Sequence, residues 1–188
     1  MFRTGDRKTI GTTRDDLLPE TRDIVHTLNR SAVIVSLFAT LLGSNLAGYA
    51  DRIVVEKAKR RLILMCGAEV LKEYRIALGA QPTGPKQCQG DNRTPEGKYV
   101  IDGRNMNSHY HRALHISYPN EADRLGARKQ GCKPGGAIMI HGLPKGYGWI
   151  GQAHSRVDWT QGCIAVTNDE IEEIWKLVRN GMPVEIKP

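Results

Sequence analysis

Cysteines, aromatic residues and long apolar runs are all sparse in this 188-residue sequence, and each shortage narrows what the chain can be. The four cysteines, Cys66, Cys88, Cys132 and Cys163, form no CxxC pair and join no His/Cys cluster at zinc-finger spacing, which argues against a structural metal site. Their spacing does not say which would pair in an oxidising compartment. Aromatic residues are 6% of the chain, and a nucleic-acid stacking motif and a basic helix are both absent. So are a GxGxxG sequence, a P-loop and any internal repeat. What remains, 40% hydrophobic and 25% charged with a mean hydropathy of −0.41, is the composition of one folded domain.

The apolar run Ala32 to Leu42 has eleven residues, too few for a bilayer-spanning helix, which needs about twenty. It has the length of a signal-peptide h-region, and Gly48-Tyr49-Ala50 offers small residues where a signal peptidase reads, with cleavage expected after Ala50. An ordinary buried helix would have the same composition. Residues 1–50 are therefore expected to be a signal peptide or membrane anchor, followed by a domain over 51–188. Lys plus Arg number 27 against 20 Asp plus Glu, for a net +7. Six of those basic and five of those acidic residues precede position 51, so the domain keeps +6. Such a charge suits an acidic polymer: nucleic acid, anionic lipid or the carboxylate-rich cell wall.

Period-two apolar patterning predicts a strand meander over Asp51 to Leu78, with Cys66-Gly67-Ala68-Glu69 as a turn. Further short strands are expected at Lys98 to Ile101, Ala113 to Ile116, Ala137 to Ile140 and Pro183 to Ile186, and a long polar loop at Gln81 to Gly97. Two segments read as helices, Glu121 to Gln130 and Asn168 to Arg179. In the second, Ile171, Ile174, Trp175 and Val178 share one face, and Thr167 with Glu170 forms a capping box. The fold class is mainly β, a sandwich or barrel-like domain with one or two short helices.

Two places carry chemistry: Ile140-His141-Gly142 at the end of a strand, and Thr160-Gln161-Gly162-Cys163-Ile164 at the start of another. An imidazole beside a thiol can take its proton or hold it as an ion pair, and both need rigid seats. Gly162 leaves the backbone open, so the amides around Gly162 and Cys163 can face an oxygen that becomes negative during acyl transfer. A buried structural Cys163 and a strand-end His141 in a satisfied position would give the same letters.

His141-Gly142, a long spacer, and Thr160-x-Gly-Cys163-Ile164-Ala165-Val166-Thr167-Asn168 resemble the signature of the YkuD-type L,D-transpeptidases of bacterial cell walls. Gly90 to Tyr99, with Thr94-Pro95-Glu96-Gly97, is similar to a second segment of that family. The resemblance spans Ile53 to Ile186. It implies a YkuD-like β-rich catalytic domain over 51–188 in which Cys163 attacks the amide between meso-diaminopimelate and D-alanine of a peptidoglycan stem. In that reading His141 is base and acid, the Gly142 backbone orients the imidazole, and an amine or water resolves the acyl-enzyme. It implies no cofactor and no metal, peptidoglycan stem peptides and wall-attached protein as partners, and an exported, periplasmic or wall-associated location reached through the N-terminal segment. Nucleic acid is not expected as a partner.

Ala165 stands where the family pattern has arginine, which removes a fixed bidentate contact. Arg104, Arg112, Arg156 and Lys145 are candidates to compensate. Thr160, Trp159, Arg156 and Asn168 are the substrate-binding candidates, with Asp158 as a groove or turn residue. His154 is expected to be exposed in a mobile spacer and His115 to support the site. His109 and His111 flank Tyr110 at a spacing that can share a metal but lack a third ligand. Cys66, Cys88 and Cys132 read as structural or incidental, and Trp175 as core. A hydrolase using the same Cys163 and His141 is the nearest alternative, and a non-catalytic wall-binding module the alternative of another class.

Overall fold

A computed structural model gives the fold and describes residues 49–188. The apolar run Ala32 to Leu42, and with it the expected signal or anchor segment, lies outside the described residues. Among those described, no helix is long and apolar enough to cross a membrane.

The meander forms as β1 (Arg52–Glu56), β2 (Arg61–Cys66) and β3 (Glu69–Arg75), paired antiparallel in that order. Ile53, Val55, Leu62 and Leu64 are fully buried, as the β-branched and apolar positions on the inner face of a sheet should be. Then follow β4 (Gly97–Ser108), β5 (His111–Ile116), β6 (Met139–His141), β7 (Ile164–Ala165) and β8 (Pro183–Lys187). The eight strands lie in the order β3-β2-β1-β8-β4-β5-β6-β7.

β4 is much longer than the short strand expected at Lys98 to Ile101. Its first residues pair with β8 and its remainder with β5, so one strand joins both halves of the sheet. The chain leaving β3 then reaches the far edge. Ala77 and Ala165 exchange amide hydrogen bonds at 3.0 and 2.9 Å, and Thr160 donates to Leu78 at 3.0 Å. These bridges close the sheet into a barrel-like shape and cover the β7 edge.

Two α-helices form where the periodicity placed them, α1 (Glu121–Lys129) and α2 (Asn168–Leu177). The Thr167–Glu170 capping box is present, and the helix ends two residues before the expected Arg179 because Val178 turns to extended backbone. A further helical piece among the described residues, a kinked 3-10 segment over Gly148–Arg156, is not expected from the sequence. Ile171 and Ile174 pack α2 onto the core with Ile140, Ile164 and Val166, so helix and site strands share one hydrophobic cluster.

Candidate active site

β6 and β7 pair in parallel, Ile140 with Ile164 and His141 with Ala165. Cys163 immediately precedes β7, two positions from Ala165, and strand side chains alternate faces. His141 and Cys163 therefore rise from the same face of neighbouring strands. Both line one cleft of about 400 Å³, together with Lys86, Tyr110, Trp159 and Thr160.

The His141 backbone is fixed from both sides: its residue pairs with Ala113, and its carbonyl accepts from Val166 at 2.9 Å. Its ring is fixed by its own chain. Nδ1 lies 2.6 Å from the Gly142 carbonyl, and since a carbonyl only accepts, Nδ1 carries the proton and Nε2 is left as the base. The ring packs against Tyr110 at 4.5 Å and Trp159 at 5.9 Å between centroids. Burial pushes the imidazole down to about 4, against the pull of the Gly142 carbonyl.

Cys163 is half-buried and free, with Sγ 3.5 Å from the Ala137 carbonyl. Burial pushes its thiol up, partly offset by the Met139 amide and the charge of Lys86. Both directions oppose a resting thiolate–imidazolium pair. Of the two arrangements open at the sequence level, the environment favours neutral thiol and neutral imidazole, with the proton moving during attack.

The turn before Cys163 is held by Thr160, whose hydroxyl donates to the Cys163 carbonyl at 2.7 Å and accepts from the Gly162 amide at 3.1 Å. Gly162 has φ +124°, and a Cβ there would lie 2.6 Å from the Arg93 carbonyl, so only glycine fits without strain. The Gly162 amide is thus engaged. Of the two amides expected to face an oxyanion, that of Cys163 is left for the task, since no acceptor among the described residues bonds it.

The other candidates divide. Trp159 and Thr160 reach the cleft, Trp159 as wall and Thr160 as turn holder. Asn168 does not line it. Its Oδ1 accepts from the Leu143 amide at 2.8 Å and tethers the loop that follows His141-Gly142. Arg156 is exposed in a different hollow, beside Glu73 and Glu170. Asp158 accepts from Arg60 at 2.8 to 3.1 Å and from the Leu78 amide at 2.9 Å, which anchors the approach to Trp159.

None of the four proposed stand-ins for the missing arginine lines the cleft. Arg104 lies over Trp175 at 3.8 Å and donates to the carbonyls of Trp175 and Val178, capping the end of α2. Arg112 pairs with Glu172 at 2.6 Å, and Lys145 is exposed. His154 is buried, not exposed. It sits in a hollow of about 320 Å³ with Tyr147, Ile150 and Trp159, because the 3-10 segment folds inward there. His115 pairs with Asp102 instead of supporting His141. His111 pairs with Glu172 at 2.8 Å, and no cluster suited to a metal occurs among the described residues.

Sequence reasoning missed Tyr110 and Lys86. Tyr110, between His109 and His111, carries no mark of its own in the sequence. Lys86 sits two residues before a cysteine and five before Asp91, a spacing that could have marked a side chain pinned by its own turn. The cysteine pairing also emerges here: Cys88 and Cys132 form a disulfide beside the cleft, leaving Cys66 free.

The geometry coincides with matches to known proteins. The YkuD family model, described as an L,D-transpeptidase catalytic domain, matches residues 50–186. YafK of Escherichia coli K12 is 32% identical over 117 residues, covering 61% of this chain and 39% of YafK. Among solved structures, the helical cell shape determining protein Pgp2 of Campylobacter jejuni superposes with a TM-score of 0.55 at 28% identity, covering 75% of this chain and 50% of Pgp2. Bd1075 of Bdellovibrio bacteriovorus gives a TM-score of 0.50 at 26% identity, covering 76% of this chain and 50% of Bd1075. The chain spans half or less of the length of each relative.

Proposed function

The chain belongs to the YkuD family of L,D-transpeptidase catalytic domains, and from that premise we propose that it acts on peptidoglycan stem peptides through an acyl-enzyme on Cys163. The observation that carries this reading is the shared face of β6 and β7, which puts a thiol and an imidazole with a bare Nε2 in one cleft.

In the proposed reaction Sγ of Cys163 attacks the carbonyl carbon between meso-diaminopimelate and D-alanine while its proton passes to Nε2 of His141. The Cys163 amide faces the oxygen that takes up negative charge. As the tetrahedral intermediate collapses, the carbon–nitrogen bond breaks and His141 returns the proton to the departing D-alanine amine, leaving a thioester on Cys163. An amine of a second stem then attacks the thioester and forms the crosslink, releasing the thiol. Gly142 serves through its carbonyl, and Tyr110 and Trp159 wall the imidazole.

Pgp2 is described as determining helical cell shape, which supports a wall-modifying role for this chain and a periplasmic or wall-associated location, reached through the N-terminal segment. The L,D-transpeptidase name of YafK is itself provisional. Wall-attached protein is a further proposed partner.

Incubation with purified disaccharide tetrapeptides, with products weighed by mass spectrometry, tests the reading. Dimers or exchanged terminal residues are expected, absent with Cys163→Ala. Shortened stems alone would replace transfer by hydrolysis. Unchanged products from Cys163→Ala would remove the enzyme reading and leave a wall-binding module.

A further inference from the structure

The family's motif arginine is absent at Ala165, yet the cleft is not without a cation. Lys86 lines it, and its side chain is 3% exposed, unlike a solvated surface lysine. Its Nζ donates to Asp91 Oδ1 at 2.7 Å and to the Cys88 carbonyl at 3.1 Å. An ammonium has three N–H donors, so one remains.

Asp91 is not available to a ligand. Oδ1 also accepts from the Arg93 amide at 3.1 Å, and Oδ2 accepts from the Gln87 and Cys88 amides at 2.7 and 3.0 Å, which uses the roughly four acceptor positions of a carboxylate. Its contacts are spent on holding the turn and the ammonium. The turn itself is clamped to the 132–133 segment by the Cys88–Cys132 disulfide and by the Gln89 amide on the Lys133 carbonyl at 2.7 Å. Gln89 also packs against Gly135, which lines the cleft with it. Lys86 is therefore a positive charge at a fixed place, preorganised as a substrate-binding group must be. Lys86 and Cys163 line the same cleft.

We propose that Lys86 binds a substrate carboxylate flanking the scissile amide, supplying from the 81–97 loop the cationic contact that Ala165 cannot. The cleft, at about 400 Å³, is near the small end of ligand sites, so the carboxylate it meets belongs to a residue next to the bond being broken. Two sources have that chemistry: the terminal carboxylate of the leaving residue and the side-chain carboxylate of the donor residue. The inference rests on the reading of the site given above, and it turns a general peptidoglycan activity into a requirement for a free carboxylate at one position.

The test uses three synthetic stem peptides, one with both carboxylates free and one amidated at each position in turn. Binding to the full chain carrying Cys163→Ala is read by calorimetry, alongside turnover by the protein with Cys163 intact. One of the two amides is expected to bind about tenfold more weakly or worse, since a charge-assisted hydrogen bond is lost, and the same amide should raise KM more than it lowers kcat. With Lys86→Met added, that amide and the free acid should bind within about twofold of each other, and Lys86→Arg should keep part of the discrimination. Equal binding of all three peptides to Cys163→Ala protein overturns the inference without any Lys86 variant having to fold. So does undiminished discrimination by folded Lys86→Met protein. Absence of turnover with selective binding intact would instead count against the acyl-enzyme reading alone.

Discussion

His141 and Cys163 both sit where burial disfavours charge, and that sets the pH behaviour of the site. The imidazole, held down to about 4, stays neutral and able to accept a proton through the neutral range, and loses that ability only as the pH falls towards 4. The thiol, pushed above its ordinary range, keeps its proton until alkaline pH. A profile of kcat/KM should therefore lose activity on the acid side near pH 4, well below the ordinary histidine value of 6.5, with a plateau through neutrality. Alkylation of Cys163 by iodoacetamide should be slow at neutral pH and accelerate only in base. Rapid alkylation at pH 6 would mean a resting ion pair instead. Gly162 is the other single residue on which the site turns. Gly162→Ala places a Cβ 2.6 Å from the Arg93 carbonyl in left-handed backbone, and should cost about 1–3 kcal/mol in thermal or denaturant unfolding while abolishing most turnover.

Among the elements, α2 does most to position the chemistry, because its first residue tethers the loop after His141 and its buried face packs beneath the site strands. Asn168→Ala removes the acceptor for the Leu143 amide, and is expected to cost about 1 kcal/mol and to lower kcat with little change in KM. Asn168→Asp keeps an acceptor oxygen and should restore most of both. Steady-state kinetics beside melting curves would separate this positioning role from plain destabilisation. This helix, its capping box and the β1–β3 meander were legible in the sequence because period 3.6 and period 2 are local properties. The 3-10 segment was not, since Gly151 breaks it with φ +51° and no sustained period runs through it. His154 accordingly reads as exposed in sequence and is buried in the fold. Lys86 was equally hidden: in a Pro- and Gly-rich loop it looks like any solvated lysine, and its place depends on Asp91 and on a turn whose Cys88 is bonded to a cysteine 44 residues further along the chain.

Over the described residues the chain is a sheet closed on itself by the Ala77–Ala165 and Leu78–Thr160 bridges, with a disulfide stapling two loops beside the cleft. Closure explains why a two-residue strand such as β7 can seat a reactive residue: its neighbours on both sides hold it. Removing the staple should loosen the loops beside the cleft before it unfolds the sheet. Cys88→Ser with Cys132→Ser, or mild reduction, is expected to lower stability by about 2–4 kcal/mol, and to raise KM as Lys86 loses its fixed carbonyl partner. Denaturant unfolding and kinetics with and without reductant would check both parts, and Cys163, already a free thiol, gains nothing from the reductant. The order of events in this fold reduces to whether the chain becomes covalently attached to its substrate. Intact-protein mass spectrometry after rapid quenching from a disaccharide tetrapeptide decides it. A mass increase equal to the substrate less D-alanine is expected, mapped by digestion to Cys163 and absent with Cys163→Ala. Turnover without any such species, or an adduct on a different residue, would contradict it.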